Sequence, residues 1–521
     1  MKRRLSTLAL ALCIILSLAA CGNKSTTDPG TDADQTQVLS SKTDLKVAID
    51  REPQALDPTG SNHSITCTIV TQMYETLLEF DENMNIVPCL AESYDEVDDT
   101  TLVFHLRKGV KFHNGEEMKA SDVLYSLNRA AGTPIGSTYT EKIDLANTTA
   151  DDEYTVTLKL LEPYAAIKET LCISFMSIVS EKEVESVGED TFARGALAGT
   201  GPFKFESWTP GDNITIVRND EYWGEKALLE EVSFRFITEQ TSRTIELESG
   251  AVDMAMLIPA TDYERIREND ELGLTLYTSL YVRYIAFNVA KEGPLQNKLV
   301  RQALNWATDM DTLVEILYTS DGAQVSTGPV PPGLNGKNEN LALYGYDVEK
   351  AKALLAEAGY PNGFDITFTC LGNATNNMMG QMLQEMWKKV GVNLILNPLE
   401  SGALSEYANG MNQEVMPVRT AYSIGDIGEG LENVYHSKNQ GTSRVNSDNP
   451  ELDALLDAAA STMDADERAK LYEEAQELIQ DEAYCMNLCY EYTSIGHSSN
   501  LKGLTTPPTE RTDYSKIYFE G

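Results

Sequence analysis

Helix and strand signals alternate from Asp347 to Leu396, and that alternation most limits the architectures open to this chain. Asp347 is placed to open a helix with Ala351, Leu354, Leu355 and Ala358 on one face, and Gly359-Tyr360-Pro361 stops it. Phe364-Asp365-Ile366-Thr367-Phe368 begins a strand, Gln381 to Val390 reads as a helix, and Val392 to Leu396 is strand-like again. A β-sandwich or a helical bundle would show one period rather than both, so the pattern predicts α/β layers. No internal repeat is visible. At 521 residues the chain is too long for one core and predicts two or three domains.

The remaining segments fit the same class. Leu45 to Ile49, Tyr154 to Leu160 and Ile214 to Arg218 alternate as strands, and Ile69 to Leu78 has helical spacing. The prolines of Arg51 to Pro58 bracket an irregular segment. Between Thr101 and Ala130 the sequence reads as a strand, a Gly109 turn, a short strand, an Asn114-Gly115 turn and a helix. Asp122 in the first turn of that helix complements its dipole. Glu451 to Glu482 predicts two helices broken near Met463-Asp464, and Tyr484 to Ile495 predicts a buried strand.

Several blocks resemble one family in the right order: Tyr74-Glu75-Thr76-Leu77-Leu78, Pro88 to Tyr94, Phe104 to Gly115, and Ala120-Ser121-Asp122-Val123. The match continues through Gly199-Thr200-Gly201-Pro202-Phe203, Asn219 to Gly224, Ala286-Phe287-Asn288, Val300 to Asn305, and Ala351 to Phe364. Together they resemble family 5 of the bacterial extracellular solute-binding proteins, the peptide, glutathione and nickel binders of ABC importers. The resemblance implies a two-lobed periplasmic-binding-protein-like α/β fold of type II, with an extra third domain and a hinge of two crossover segments. Carried over, the crossings fall near Tyr277 to Tyr284 and Met486 to Thr493. Residues 44–75, 176–278 and 490–521 then form domain I, 76–175 domain II and 279–489 domain III. The implied function is that of an extracytoplasmic binding component, not an enzyme. It captures peptides and delivers them to a membrane permease with its ATPase subunits. Glutathione or a nickel chelate is the alternative cargo, and peptide sensing without transport the alternative role.

The N-terminus agrees with an extracytoplasmic place. Lys2, Arg3 and Arg4 precede an apolar run from Leu8 to Leu18, shorter than the roughly 20 residues a membrane span needs. Leu18-Ala19-Ala20-Cys21 resembles the lipobox of bacterial lipoproteins, which implies a signal peptide over 1–20 and a lipidated Cys21. Residues 21–43 would then tether the protein to the cell membrane, since two acyl chains hold where one is marginal.

Composition narrows the partners. The net charge of -39 argues against nucleic acid. Beyond Cys13 and Cys21, six cysteines remain, without metal-ligand spacing, and they are expected mostly as small core residues. His105 and His113 lack a third ligand, and five scattered histidines do not suggest a metal. No cofactor is expected, and the chain is expected to be a monomer. Ser499-Asn500-Leu501-Lys502 matches Ser-x-x-Lys formally, with nothing downstream to complete a hydrolase site.

The ligand residues come from the resemblance. Tyr422, Gly425 and Asp426 match an aromatic followed by a Gly-Asp pair, whose aspartate accepts the ligand's α-amino group, a charge-assisted bond. Glu429 is the alternative acceptor, and a loop carboxylate capping its own turn is the alternative role for Asp426. Tyr422 stands where tryptophan is commoner. Dipeptide binders carry an arginine in the loop matching Leu371 to Asn377, which has none here, so a longer peptide held by its backbone is expected. Arg283 and Arg419 are candidates for a carboxylate, or else structural ion pairs. His63, Ser64 and Thr66 lie where the family lines its cleft.

Overall fold

One long strand, Cys485–Ser498, is shared by both halves of a large mixed sheet. Its first half pairs antiparallel with Tyr281–Phe287, from Ala286 opposite Cys485 to Arg283 opposite Cys489. Its second half pairs antiparallel with Leu272–Thr278, from Thr278 opposite Tyr492 to Leu272 opposite Ser498. This is a computed structural model that describes residues 40–319, 321–505 and 507–521. Cys21, with the expected signal and most of the tether, lies outside the described residues.

On one side of the shared strand the sheet continues through Tyr281–Phe287, Val415–Ala421, Asp365–Leu371 and Asn393–Leu399. Asp365–Leu371 and Asn393–Leu399 run parallel and are joined by the helix Ala374–Lys388, a βαβ unit. That helix starts earlier than its apolar spacing suggests, because the Asn373 side chain caps it by accepting from the Asn376 amide. On the other side stand Met254–Met256, Asp44–Ile49, Glu231–Phe236, Asn213–Arg218 and Phe203–Thr209. Pro450–Ser461 and Ala465–Glu482 form the two helices expected near the C-terminal end.

A separate four-stranded sheet carries Ala91–Asp98, Thr101–Leu106, Thr155–Lys159 and Thr149–Asp152, covered by the helix Ala120–Ala131. Asp122 Oδ2 accepts from the Lys119 amide at 2.9 Å and so closes the N-terminus of that helix. Gly109 and Gly115 hold φ of 77° and 88° in the two turns before it.

The helix expected over Ile69 to Leu78 instead spans Ser64–Val70. Beyond it the chain is held extended, because the carbonyls of Gln72 and Met73 accept from the amides of Phe203 and Gly201. A Cβ on Gly199 would collide with the Met73 carbonyl oxygen, so the Gly-Thr-Gly motif is a close backbone approach.

Apolar burial divides into several cores. One joins residues 45–74, 179–277 and 495–519. A second fills the small sheet with side chains from Cys67 to Ile178, and Ile424 enters it from far along the chain. Two more lie between Leu280 and Tyr490. All six cysteines of the described residues are buried and free. Among the described residues no helix is long and apolar enough to cross a membrane.

Candidate functional site

A cavity of about 340 Å³ is walled by segments far apart in sequence. The start of the helix Ser64–Val70 supplies His63 and Ser64, and the end of the strand Val415–Ala421 supplies Arg419. Tyr139 and Phe175 come from the small-sheet region, stacked with centroids 5.1 Å apart. Tyr281 comes from the strand beside the shared one, and Glu510 and Arg511 from the C-terminal segment.

Charge in this cavity is uneven. The Arg419 guanidinium lies over the Tyr281 ring at 3.9 Å, with Glu491 at a loose 3.8 Å. Arg511 makes no ion pair among the described residues, yet its charge is felt at Tyr139 and Tyr281, both on the wall. Against these two cations stands Glu510. Its backbone is in the left-handed region at φ 62°, where an ordinary side chain is strained. Thr68 Oγ1 donates to the Glu510 carbonyl at 2.9 Å, and Thr493 Oγ1 donates to Glu510 Oε1 at 2.6 Å. The surrounding structure therefore fixes this carboxylate at the wall. His63 Nδ1 is buried without a hydrogen-bond partner among the described residues. Burial, and then Arg51, lower the proton affinity of His63, so the ring is neutral near neutral pH.

The residues expected from sequence fall into two groups. His63, Ser64, Arg419 and Tyr422 border the cavity. The Tyr422 side chain is fully buried, its hydroxyl donates to the Pro329 carbonyl at 2.7 Å, and its ring packs on Gly430. Tyr139, Phe175 and Tyr281 line the cavity with it. Thr66 is buried on the inner side of its helix. Arg283 lies in an ion pair with Glu491 at 2.6 Å. Gly425 takes φ 76° and abuts Phe80 and Met84.

Asp426 is also outside the lining. It caps the helix Ile427–Tyr435, with Oδ1 accepting from the Gly428 amide at 2.7 Å and from the Tyr472 hydroxyl at 3.4 Å. Burial pushes its carboxyl up. Glu429 Oε2 accepts from the Ile424 amide at 3.1 Å, and burial pushes this carboxyl up to about 7. Glu510, Arg511 and Tyr139 carried no local signal in the sequence, since each is a single residue in an irregular or short segment.

His105 is an exposed partner of Asp95, and His113 Nε2 donates to the Gly201 carbonyl at 3.0 Å. No group of three or more metal-ligating side chains is found among the described residues.

Comparison with known proteins agrees with this architecture. The family model "Bacterial extracellular solute-binding proteins, family 5 Middle" matches residues 85–442. The glutathione-binding protein GsiB of Salmonella typhimurium is 30% identical over 477 residues, covering 89% of this chain and 92% of GsiB. Heme-binding protein A of Haemophilus influenzae is 30% identical over 540 residues, covering 96% and 97%. The ABC transporter-associated periplasmic binding protein DppA from Helicobacter pylori, solved with the peptide STSA, superposes with a TM-score of 0.77. It is 26% identical, over 94% of this chain and 99% of that one. Proteins of this kind act outside the cytoplasm as binding components of transport and are not enzymes. The chain belongs to family 5 of the bacterial extracellular solute-binding proteins.

Proposed function

We propose that this protein encloses a short, net-anionic peptide between two lobes and passes it unaltered to an ABC permease and its ATPase subunits, held at the membrane through a lipidated Cys21. The observation that carries this reading is the charge of the cavity lining: Arg419 and Arg511 against Glu510, with Glu491 behind Arg419 at a loose 3.8 Å. Two cations and one anion complement a solute with two carboxylates and one ammonium, and glutathione has that pattern. Its name also appears on relatives that are 30% identical. Glu510, with one oxygen held by Thr493, takes the ammonium role first expected of Asp426. A volume of about 340 Å³ is at the small end for ligand sites and favours about two or three residues over the longer peptide expected from sequence.

Lobe closure supplies the rest. A solute that touches both lobes stabilises the closed state, whereas one bound equally in both states would shift nothing. Calorimetric titration with glutathione, an unmodified tripeptide and its N-acetylated form tests the reading. Saturable binding is expected for the first two, with Arg511→Ala and Glu510→Gln each weakening it about tenfold or more. Equal affinity for the acetylated peptide would remove the ammonium assignment. Binding of haem alone would replace the cargo.

A further inference from the structure

We propose that closure of the cavity takes up protons, bound by Glu169 on one lobe and by Asp426 and Glu429 on the other, so that solute is held more tightly in mild acid than in mild base. This rests on the reading that the protein closes on a solute, but on residues outside the cavity lining.

The seam is defined by direct contacts. The Ala165 amide donates to the Ala460 carbonyl at 2.9 Å, joining the small-sheet region to the helix Pro450–Ser461. Ile424 is buried in the small-sheet core, and Gly425 abuts Phe80 and Met84. The loop carrying Asp426 and Glu429 is therefore pressed against the region carrying Glu169. Glu169 Oε2 is buried there with no hydrogen-bond partner among the described residues.

The charges around these carboxylates do not neutralise them. Glu169 faces Asp426 and Arg468, with Lys168 beside it. Asp426 faces Arg468, Glu432 and Tyr472, and its charge reaches Tyr164. Glu429 faces Asp426 and, from the opposite lobe, Tyr139. Arg468 directs Nη1 to the carbonyls of Thr462 and Met463, at 3.2 and 3.5 Å, and forms no ion pair among the described residues. Lys168 pairs with Glu96 at 2.9 Å. Burial, followed by the charge of Asp426, pushes Glu169 up to about 7, and burial pushes Glu429 up to about 7.

Parting the lobes would hydrate these groups and separate them, returning their carboxyls toward the usual value of about 4.3. The closed state then binds more protons than the open one. Closure is favoured as pH falls from about 7 toward the open-state value, and the gain is complete below it.

The test measures glutathione affinity at about pH 6 and about pH 8 for the wild type, Glu169→Gln and Glu429→Gln. The wild type should bind about tenfold more tightly at the lower pH for each proton taken up, up to about a hundredfold for Glu169 and Glu429 together. Each variant should bind more tightly than wild type at the higher pH and show a smaller change between the two. Equal wild-type affinities, or variants that keep the full change, would overturn the proposal.

Should glutathione bind at neither pH, the cargo assignment fails while the linkage is still measured without ligand. Spin labels on Leu161→Cys and Ser461→Cys, both exposed, report the separation of the lobes. The closed population should rise at the lower pH, and an unchanged distance distribution would refute the linkage. The six native thiols of the described residues are buried, so labelling there is specific to the introduced pair.

Discussion

Glu75, placed between Tyr74 of one apolar core and Leu77 of another, accepts a 2.6 Å hydrogen bond from the Tyr222 hydroxyl. The same carboxylate accepts from Thr200 Oγ1 at 2.6 Å and from Trp223 Nε1 at 2.9 Å. Burial pushes its proton affinity up, and the three donors oppose that shift. Three sequence blocks that look unrelated, around Glu75, Thr200 and Tyr222-Trp223, thus converge on one side chain.

Tyr222→Phe leaves one oxygen of that buried carboxylate without a donor it now has. It should lower unfolding stability by about 1–3 kcal/mol, read from the midpoint and slope of urea denaturation. A change within about 0.5 kcal/mol would mean that water replaces the hydroxyl freely.

Asp426→Ala separates a cap from a ligand contact. Loss of the bond to the Gly428 amide should cost about 1 kcal/mol in unfolding. Solute affinity should weaken by no more than about threefold, in contrast to Glu510→Gln. A large loss of affinity with unchanged stability would return the ammonium role to Asp426.

His113 gives a pH dependence whose sign differs from that of the buried carboxylates. Burial lowers its ring to about 4, against the bond to the Gly201 carbonyl that raises it. Its folded value lies below the unfolded one, so the unfolded chain protonates first, and stability falls as pH drops from about 6.5 to 4. Glu79, raised by burial to about 7, acts the other way over part of this range. The His113 contribution is therefore the difference between wild type and His113→Gln, expected to reach about 1–3 kcal/mol at the acid end. Parallel stability curves for the two proteins would refute it.

The sequence was most legible where a period or a cap acts locally. Asp347 accepts from the Lys350 amide at the start of Val348–Glu357, as its position suggested, and the buried strand near the C-terminus is present. Legibility failed after Val70, where apolar spacing continues but the backbone bonds go to Gly201 and Phe203 instead of to a helix. It failed again at the cavity. Tyr139, Tyr281 and Arg511 meet there only because distant segments pack together, and nothing beside any of them marks it. Tyr422 and Asp426 were prominent because they match the family's aromatic and Gly-Asp pair, in a segment rich in glycine. Those glycines serve the packing of the Tyr422 ring and the entry of a helix.

The strand Cys485–Ser498 is a seam that both halves require before either sheet is whole. Any chain ending ahead of residue 485 lacks the central rung of each half at once, leaving Tyr281–Phe287 and Leu272–Thr278 with open edges. Completion of the fold therefore waits on residues 485–498, and a small deletion there should disable the whole molecule rather than one lobe.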